Sequence, residues 1–302
     1  MASVFTSLLR KRSDTVLQDV YRGRLRLSVI GRHLATSARM CSSESSIESH
    51  YAEVNGVRIH YEKTGSGDHT VLLLPGALGS SRTDFGPQLE KLNKKKYTIY
   101  AFDPRGYGKS IPPERDWPLL FLQRDAEDAV ALMKSFQVPQ YSVMGWSDGG
   151  ITGLIIAGRY PQLLRRLIVW GANGYILESD MKLFRDIEDV NKWSERMREP
   201  FVKLYGMNYF QTQWSNWVNA YGRYFKDRDG DICREEVKKI RCPTLIVHGQ
   251  KDALVVQEHP DYLHATIPGS QLVNWPEGKH NLHLRYADEL NKLAEEFLDK
   301  DK

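Results

Sequence analysis

The segment Gly145-Trp-Ser-Asp-Gly149, extended by Gly150, sets one serine between glycines two residues to either side. An apolar run, Tyr141–Met144, precedes it, and a helical pattern from Gly149 to Tyr160, closed by Pro161, follows. A serine on a sharp strand-to-helix turn has its hydroxyl lifted clear of the sheet, and crowding there excludes a Cβ from its neighbours. The bare pattern is weak; a strand before and a helix after give it meaning. The helix also turns free N–H groups toward developing negative charge. Such a hydroxyl is a poor nucleophile until a base takes its proton, so Ser147 calls for a histidine and an acid to orient it.

On a strand-to-helix turn of this kind the acid and then the base follow later in the chain. Cys242-Pro-Thr-Leu-Ile-Val-His-Gly-Gln-Lys-Asp252 reads as a buried strand, a glycine turn and an aspartate at the strand's carboxyl end. Catalytic side chains of open α/β sheets gather at that end. Trp275-Pro-Glu-Gly-Lys-His280-Asn281 repeats the arrangement with a histidine. Asp252 lies 105 residues beyond Ser147, and His280 lies 28 beyond Asp252. The predicted triad is Ser147, Asp252 and His280. Of nine histidines, His60, His69 and His248 fall in or near strands and read as structural, whereas His283 is the rival base. Asp229 and Asp231 are rival acids, but neither sits at a strand end.

Pro75-Gly76-Ala77-Leu78-Gly79 follows the apolar run Val71–Leu74. The loop there supplies the second donor of an oxyanion hole, the first being the N–H after the nucleophile. The backbone N–H groups of Ala77 and Asp148 are the predicted pair, with Leu78 as the alternative to Ala77. Asp103-Pro-Arg-Gly-Tyr-Gly-Lys-Ser110 reads as a structural turn in which Asp103 and Arg105 bond backbone.

These residues need a scaffold, and the chain alternates strand and helix signals from about residue 50. The pair Asn55-Gly56 predicts a hairpin. Short buried strands are predicted at Val71–Leu74, Tyr97–Phe102, Tyr141–Met144, Leu167–Trp170, Thr244–Val247 and Leu272–Trp275. Apolar residues recur at helical spacing over 121–137 and 286–298. All-apolar strands separated by helices mean an α/β fold, a mostly parallel sheet covered on both faces. Residues 174–236 break the alternation with twelve aromatics among charges and read as a helical cap inserted over the sheet. Most of those aromatics pack; a few line a pocket.

The 302 residues carry 42 basic and 38 acidic groups, and the excess is unevenly placed. Residues 1–46 hold eight basic and three acidic groups and nine serines; the remainder holds 34 basic and 35 acidic groups. An Arg- and Ser-rich, acid-poor start is the composition of an organelle transit peptide, and Arg22, Arg24 and Arg26 interrupt any secretory apolar core. The expected location is mitochondrial, with a working domain over 47–302 that is close to neutral. That near-neutral domain argues against a nucleic-acid partner. Three cysteines argue against a disulfide framework, and no run of about 18 apolar residues marks a membrane-spanning helix.

Together, Gly145-Trp-Ser-Asp-Gly-Gly-Ile-Thr152, Asp103-Pro-Arg-Gly-Tyr-Gly108, Lys192-Trp-Ser-Glu-Arg196 and Pro276-Glu-Gly-Lys-His-Asn-Leu-His283 closely resemble members of the α/β-hydrolase family over residues 50–298. The resemblance implies a mitochondrial serine hydrolase of α-amino-acid esters, with Ser147, Asp252 and His280 at the triad positions. It also implies that Asp148 binds the substrate's α-ammonium group. Physics agrees: an anion beside the oxyanion opposes it, and a cationic substrate supplies the reason for keeping it. The other reading of Asp148 is a cap on the following helix. The expected partner is a small ester bearing an α-amino group, acted on by a monomer with no cofactor and no metal. Rival functions are carbon–carbon bond hydrolysis by the same triad and a non-catalytic scaffold. Dehalogenases and epoxide hydrolases of this fold use an aspartate nucleophile, which Ser147 excludes.

Overall fold

The computed structural model describes residues 46–300; apart from Ser46, the basic segment read as a presequence lies outside them. The elements run β1 (Glu48–Val54), β2 (Val57–Thr64), β3 (His69–Leu74), α1 (Ser81–Lys91), β4 (Tyr97–Phe102), α2 (Phe121–Ser135), β5 (Tyr141–Trp146), α3 (Asp148–Arg159) and β6 (Leu164–Trp170). Four helices then precede the next strand: α4 (Glu178–Asp186), α5 (Glu195–Tyr205), α6 (Met207–Asp227) and α7 (Arg234–Val237). The chain closes with β7 (Thr244–Gly249), α8 (Glu258–Thr266), β8 (Gln271–Trp275), α9 (Leu282–Arg285) and α10 (Ala287–Leu298).

The eight strands form one sheet in the order β1-β2-β4-β3-β5-β6-β7-β8. The β1–β2 hairpin turns at Asn55-Gly56, and β2 pairs antiparallel with β4. From β4 onward every pairing is parallel. Parallel strands buried on both faces read as continuous apolar runs. In β3, Leu72 and Leu74 face a core shared with α2 and α3, while Val71 and Leu73 face a second core with Phe85 and Leu89 of α1 and Phe297 and Leu298 of α10. That alternation is the period of two of a strand. The parallel order brings the carboxyl ends of β3, β5, β7 and β8 to one edge of the sheet, each followed by a loop carrying a candidate residue.

Helix α1 has no counterpart among the predicted elements. Its sequence is polar, with Gly86 and Pro87 inside and a kink at Phe85, so helical periodicity is faint. A capping box at Ser80 and Thr83 starts it. The longest helix of the inserted group, α6, buries Phe210, Trp214, Trp217, Tyr221 and Tyr224 at spacings of three and four. Tyr221 and Tyr224 meet Phe121 of α2 edge-on or tilted, at 5.9 and 5.7 Å between ring centres. Among the described residues no helix is long and apolar enough to cross a membrane.

Candidate active site

Ser147 joins β5 to α3 with φ 56° and ψ −125°, a backbone conformation that a residue with a Cβ rarely adopts. Strain of this kind costs on the order of 1–3 kcal/mol and persists only where the surroundings impose it. The surroundings are close: a Cβ on Gly145 would overlap the Gly149 carbonyl, and one on Gly149 would overlap the Leu74 carbonyl. The Ser147 N–H donates to the Trp170 carbonyl at 3.0 Å, tying the turn to β6.

His280 Nε2 lies 3.1 Å from Ser147 Oγ, and His280 Nδ1 lies 2.9 Å from Asp252 Oδ2. The other Asp252 oxygen accepts the N–H groups of Leu254 and Val255 at 2.8 and 3.1 Å. Burial pushes the Asp252 carboxyl up, but His280 and the two N–H groups outweigh it and hold the acid below its ordinary range. An ionised Asp252 keeps the His280 proton on Nδ1 and leaves Nε2 to accept from the serine. The His280 carbonyl accepts from the Trp146 indole at 2.8 Å, fixing the base's backbone beside the nucleophile.

The rival residues sit elsewhere. His283 is fully buried; its Nδ1 accepts from the Trp170 indole at 3.0 Å, and burial pushes it down to about 3, so it is neutral. Its ring packs 4.5 Å from that of Trp146, a wedge behind the turn. His60 pairs with Asp103 at 2.9 Å, and His69 with Ser142 at 2.7 Å. Asp231 accepts from the Arg234 N–H at the start of α7. Asp103 does bond backbone, accepting from Ser81 and Lys109, but Arg105 instead forms a two-toothed ion pair with Asp128 at 2.6 and 2.7 Å.

Gly76–Gly79 form a β-turn closed by the Gly79 N–H on the Gly76 carbonyl at 3.0 Å. Its third residue, Leu78, has φ +56° while Ala77 is on the negative side, so the turn is of type II. The Ala77 N–H donates to no group among the described residues. The Leu78 N–H faces the buried Tyr107 hydroxyl, which has no hydrogen-bond partner of normal geometry. From below, the Asp84 carboxylate accepts the Gly76 N–H at 2.9 Å and the Thr83 hydroxyl at 2.8 Å. Asp148 is the first residue of α3, so its N–H precedes the helical ladder.

The Asp148 side chain does not cap α3. One oxygen accepts from the Tyr221 hydroxyl at 2.6 Å and the other from the Trp217 indole at 2.9 Å, both on α6. Burial pushes the carboxyl up to about 6, while these two donors and the charge of Arg115 pull it back. Arg115 is itself fully buried and spoken for, bonded to Asp125 at 2.8 and 2.6 Å and packed 4.6 Å from the centre of the Tyr107 ring. Two carboxylates and one guanidinium leave one negative charge unbalanced beside the nucleophile. A small cavity bounded by Gly76, Phe102, Tyr107, Asp125, Asp148 and Thr152 lies against it. Trp217, Tyr221, Arg115 and Tyr107 escape the sequence reading. Aromatics at helical spacing look like core, and only the third dimension turns an indole N–H toward a carboxylate.

A model of the α/β hydrolase family matches residues 71–293. The chain is 51% identical over 283 residues to the human protein serine hydrolase BPHL, covering 93% of this chain and 97% of that one. It is 53% identical over 245 residues to the mouse serine hydrolase BPHL, covering 81% and 84%. Solved structures with the same fold include a meta-cleavage product hydrolase, CumD, from Pseudomonas fluorescens IP01, with TM-score 0.69 and 19% identity over 83% of this chain and 97% of that one. The enol-lactonase from Burkholderia xenovorans LB400 superposes with TM-score 0.66 at 21% identity, over 83% and 100%.

Proposed function

The chain belongs to the α/β-hydrolase family and is a serine hydrolase, and from that premise we propose that it cleaves carboxylic esters of α-amino acids through an acyl-enzyme. His280, oriented by Asp252, takes the Ser147 proton as the hydroxyl attacks the ester carbonyl. The N–H groups of Ala77 and Asp148 hold the oxyanion, with the Leu78 N–H as the alternative to that of Ala77. The alcohol leaves with the proton from His280, and water then clears the acyl group by the same steps in reverse order.

The observation that carries the substrate class is the unbalanced Asp148 carboxylate. A buried charge without a counter-ion is costly, and a substrate ammonium group repays that cost only when it is bound. Carbon–carbon hydrolysis, the other chemistry open to this triad, leaves that charge without a partner. The test is a matched set of aminoacyl and des-amino esters assayed across pH. The ratio of kcat/KM values is expected to rise as Asp148 ionises through about 6. It is expected to fall again as the substrate's α-amino group loses its proton near about 8. A ratio near one and flat with pH would sink the assignment.

We further propose that residues 1–46, with their eight basic and three acidic groups, direct import into mitochondria. Fused to a fluorescent protein, this segment is expected to give a mitochondrial signal; diffuse cytosolic fluorescence would overturn the proposal.

A further inference from the structure

Tyr205 closes helix α5, and its hydroxyl donates to the Leu78 carbonyl at 2.9 Å while accepting the Gly108 N–H at 2.8 Å. One phenol from the inserted helices thus bridges two loops at the carboxyl edge of the sheet. The first is the turn that carries the Ala77 N–H; the second is the Asp103–Ser110 turn, held by Asp103 to the start of α1. Gly206, with φ +74°, follows at once and starts α6. The same group of helices therefore touches both sides of the oxyanion site: Tyr205 on the Leu78 turn, Trp217 and Tyr221 on Asp148.

The Leu78 turn has a reason to need holding. A type II turn puts its third residue in the left-handed region, where glycine belongs and a branched side chain is strained. Leu78 is buried and occupies it at φ +56°. Two hydrogen bonds reach the turn from outside: Asp84 holds the Gly76 N–H, and Tyr205 holds the Leu78 carbonyl. Together they fix where the turn, and with it the Ala77 N–H, sits at the edge of the sheet.

We propose that Tyr205 is a positioning residue for the oxyanion hole, through which the inserted helices hold the Gly76–Gly79 turn in place against the Asp103–Ser110 turn. This rests on the serine-hydrolase reading of the site but not on the amino-acid specificity. It is therefore tested with a simple p-nitrophenyl ester, so that a failure of the amine assignment and a failure of this one are told apart.

The variant is Tyr205→Phe, which keeps the ring and removes both hydrogen bonds. Its control is Tyr209→Phe: Tyr209 comes from the next helix and reaches the Gly106 carbonyl and the Arg115 N–H at 3.3 and 3.4 Å, but not the Leu78 turn. Losing an oxyanion donor outright costs about 100- to 1,000-fold, so loosening one is expected to lower kcat about ten-fold, with KM within about two-fold. Affinity for a boronic acid that forms a tetrahedral adduct on Ser147 is expected to weaken by the same factor. Tyr209→Phe is expected to leave both unchanged. An undiminished kcat, an equal loss in Tyr209→Phe or an unaltered boronate affinity would each overturn the proposal. Thermal unfolding of Tyr205→Phe close to the parent's confirms that the comparison is made on folded protein.

Discussion

Replacing Ser147 by alanine is expected to lower kcat on any hydrolysed ester by about 10⁵-fold or more and to abolish labelling by a fluorophosphonate. In the proposed mechanism the hydroxyl is the one group of the site that forms a covalent bond to substrate. Its Oγ is 3.1 Å from His280 Nε2, and His280 in turn is 2.9 Å from Asp252. Triad members act as a unit, so removing the nucleophile leaves the residual help of the oxyanion hole and binding alone. The fold is expected to survive, since the turn is imposed by backbone packing at Gly145 and Gly149 and by the Ser147 N–H on Trp170, none of which needs the hydroxyl. Retention of label by Ser147→Ala would point to another nucleophile and undo the assignment.

Asp148→Asn should separate function from stability. Truncating one partner of a buried charge pair costs about 2–5 kcal/mol, so kcat/KM for aminoacyl esters is expected to fall by about two to three powers of ten. Esters lacking the amine should lose little, because the substitution leaves the backbone N–H of this position, the proposed oxyanion donor, in place. The same change is expected to stabilise the protein at pH 8. In the native fold the carboxyl is pushed up from 3.8 to about 6, so the folded chain holds this proton more tightly than the unfolded chain does. Stability from this group is therefore fully present below about 4, is lost as pH rises toward 6, and stays lost above it. Above that window the penalty is about 3 kcal/mol at most. Asparagine avoids it: its carbonyl can accept from Trp217 and its amide can donate to Tyr221, whose hydroxyl can turn to accept. Thermal unfolding of parent and variant should differ at pH 8 and converge toward pH 4. An equal loss of activity on esters with and without the amine would instead assign Asp148 to the oxyanion site alone.

How much of this could be read along the chain varies from residue to residue. Ser147 was legible because the turn that exposes it demands glycines at fixed offsets, and those demands are local. Asp252 and His280 were legible by order and by strand ends, and the parallel sheet brings their loops to one edge. His283 illustrates the limit. Three residues from His280, it is chemically the same side chain, and only packing against Trp146 and Trp170 makes it a neutral filler. The Asp103–Ser110 segment by itself predicts Arg105 as a backbone ligand, yet Asp128 on α2, 23 residues on, takes it instead. Helix α1 was not legible at all, because a polar, kinked helix offers little periodicity and is stabilised by its cap and by Phe85 and Leu89 in the core.

What the amino-acid order determined by itself was therefore whatever depends on short spacing: the α/β alternation, the strained serine turn, the succession of acid and base, and a basic front set against a neutral body. What the tertiary structure alone decided was the surroundings of Asp148 and Leu78. Trp217 lies 69 residues from Asp148, and Tyr205 lies 127 from Leu78. An isolated helical aromatic is apolar bulk by default. Its single N–H or O–H becomes informative only where folding removes water and leaves one buried partner for it to meet.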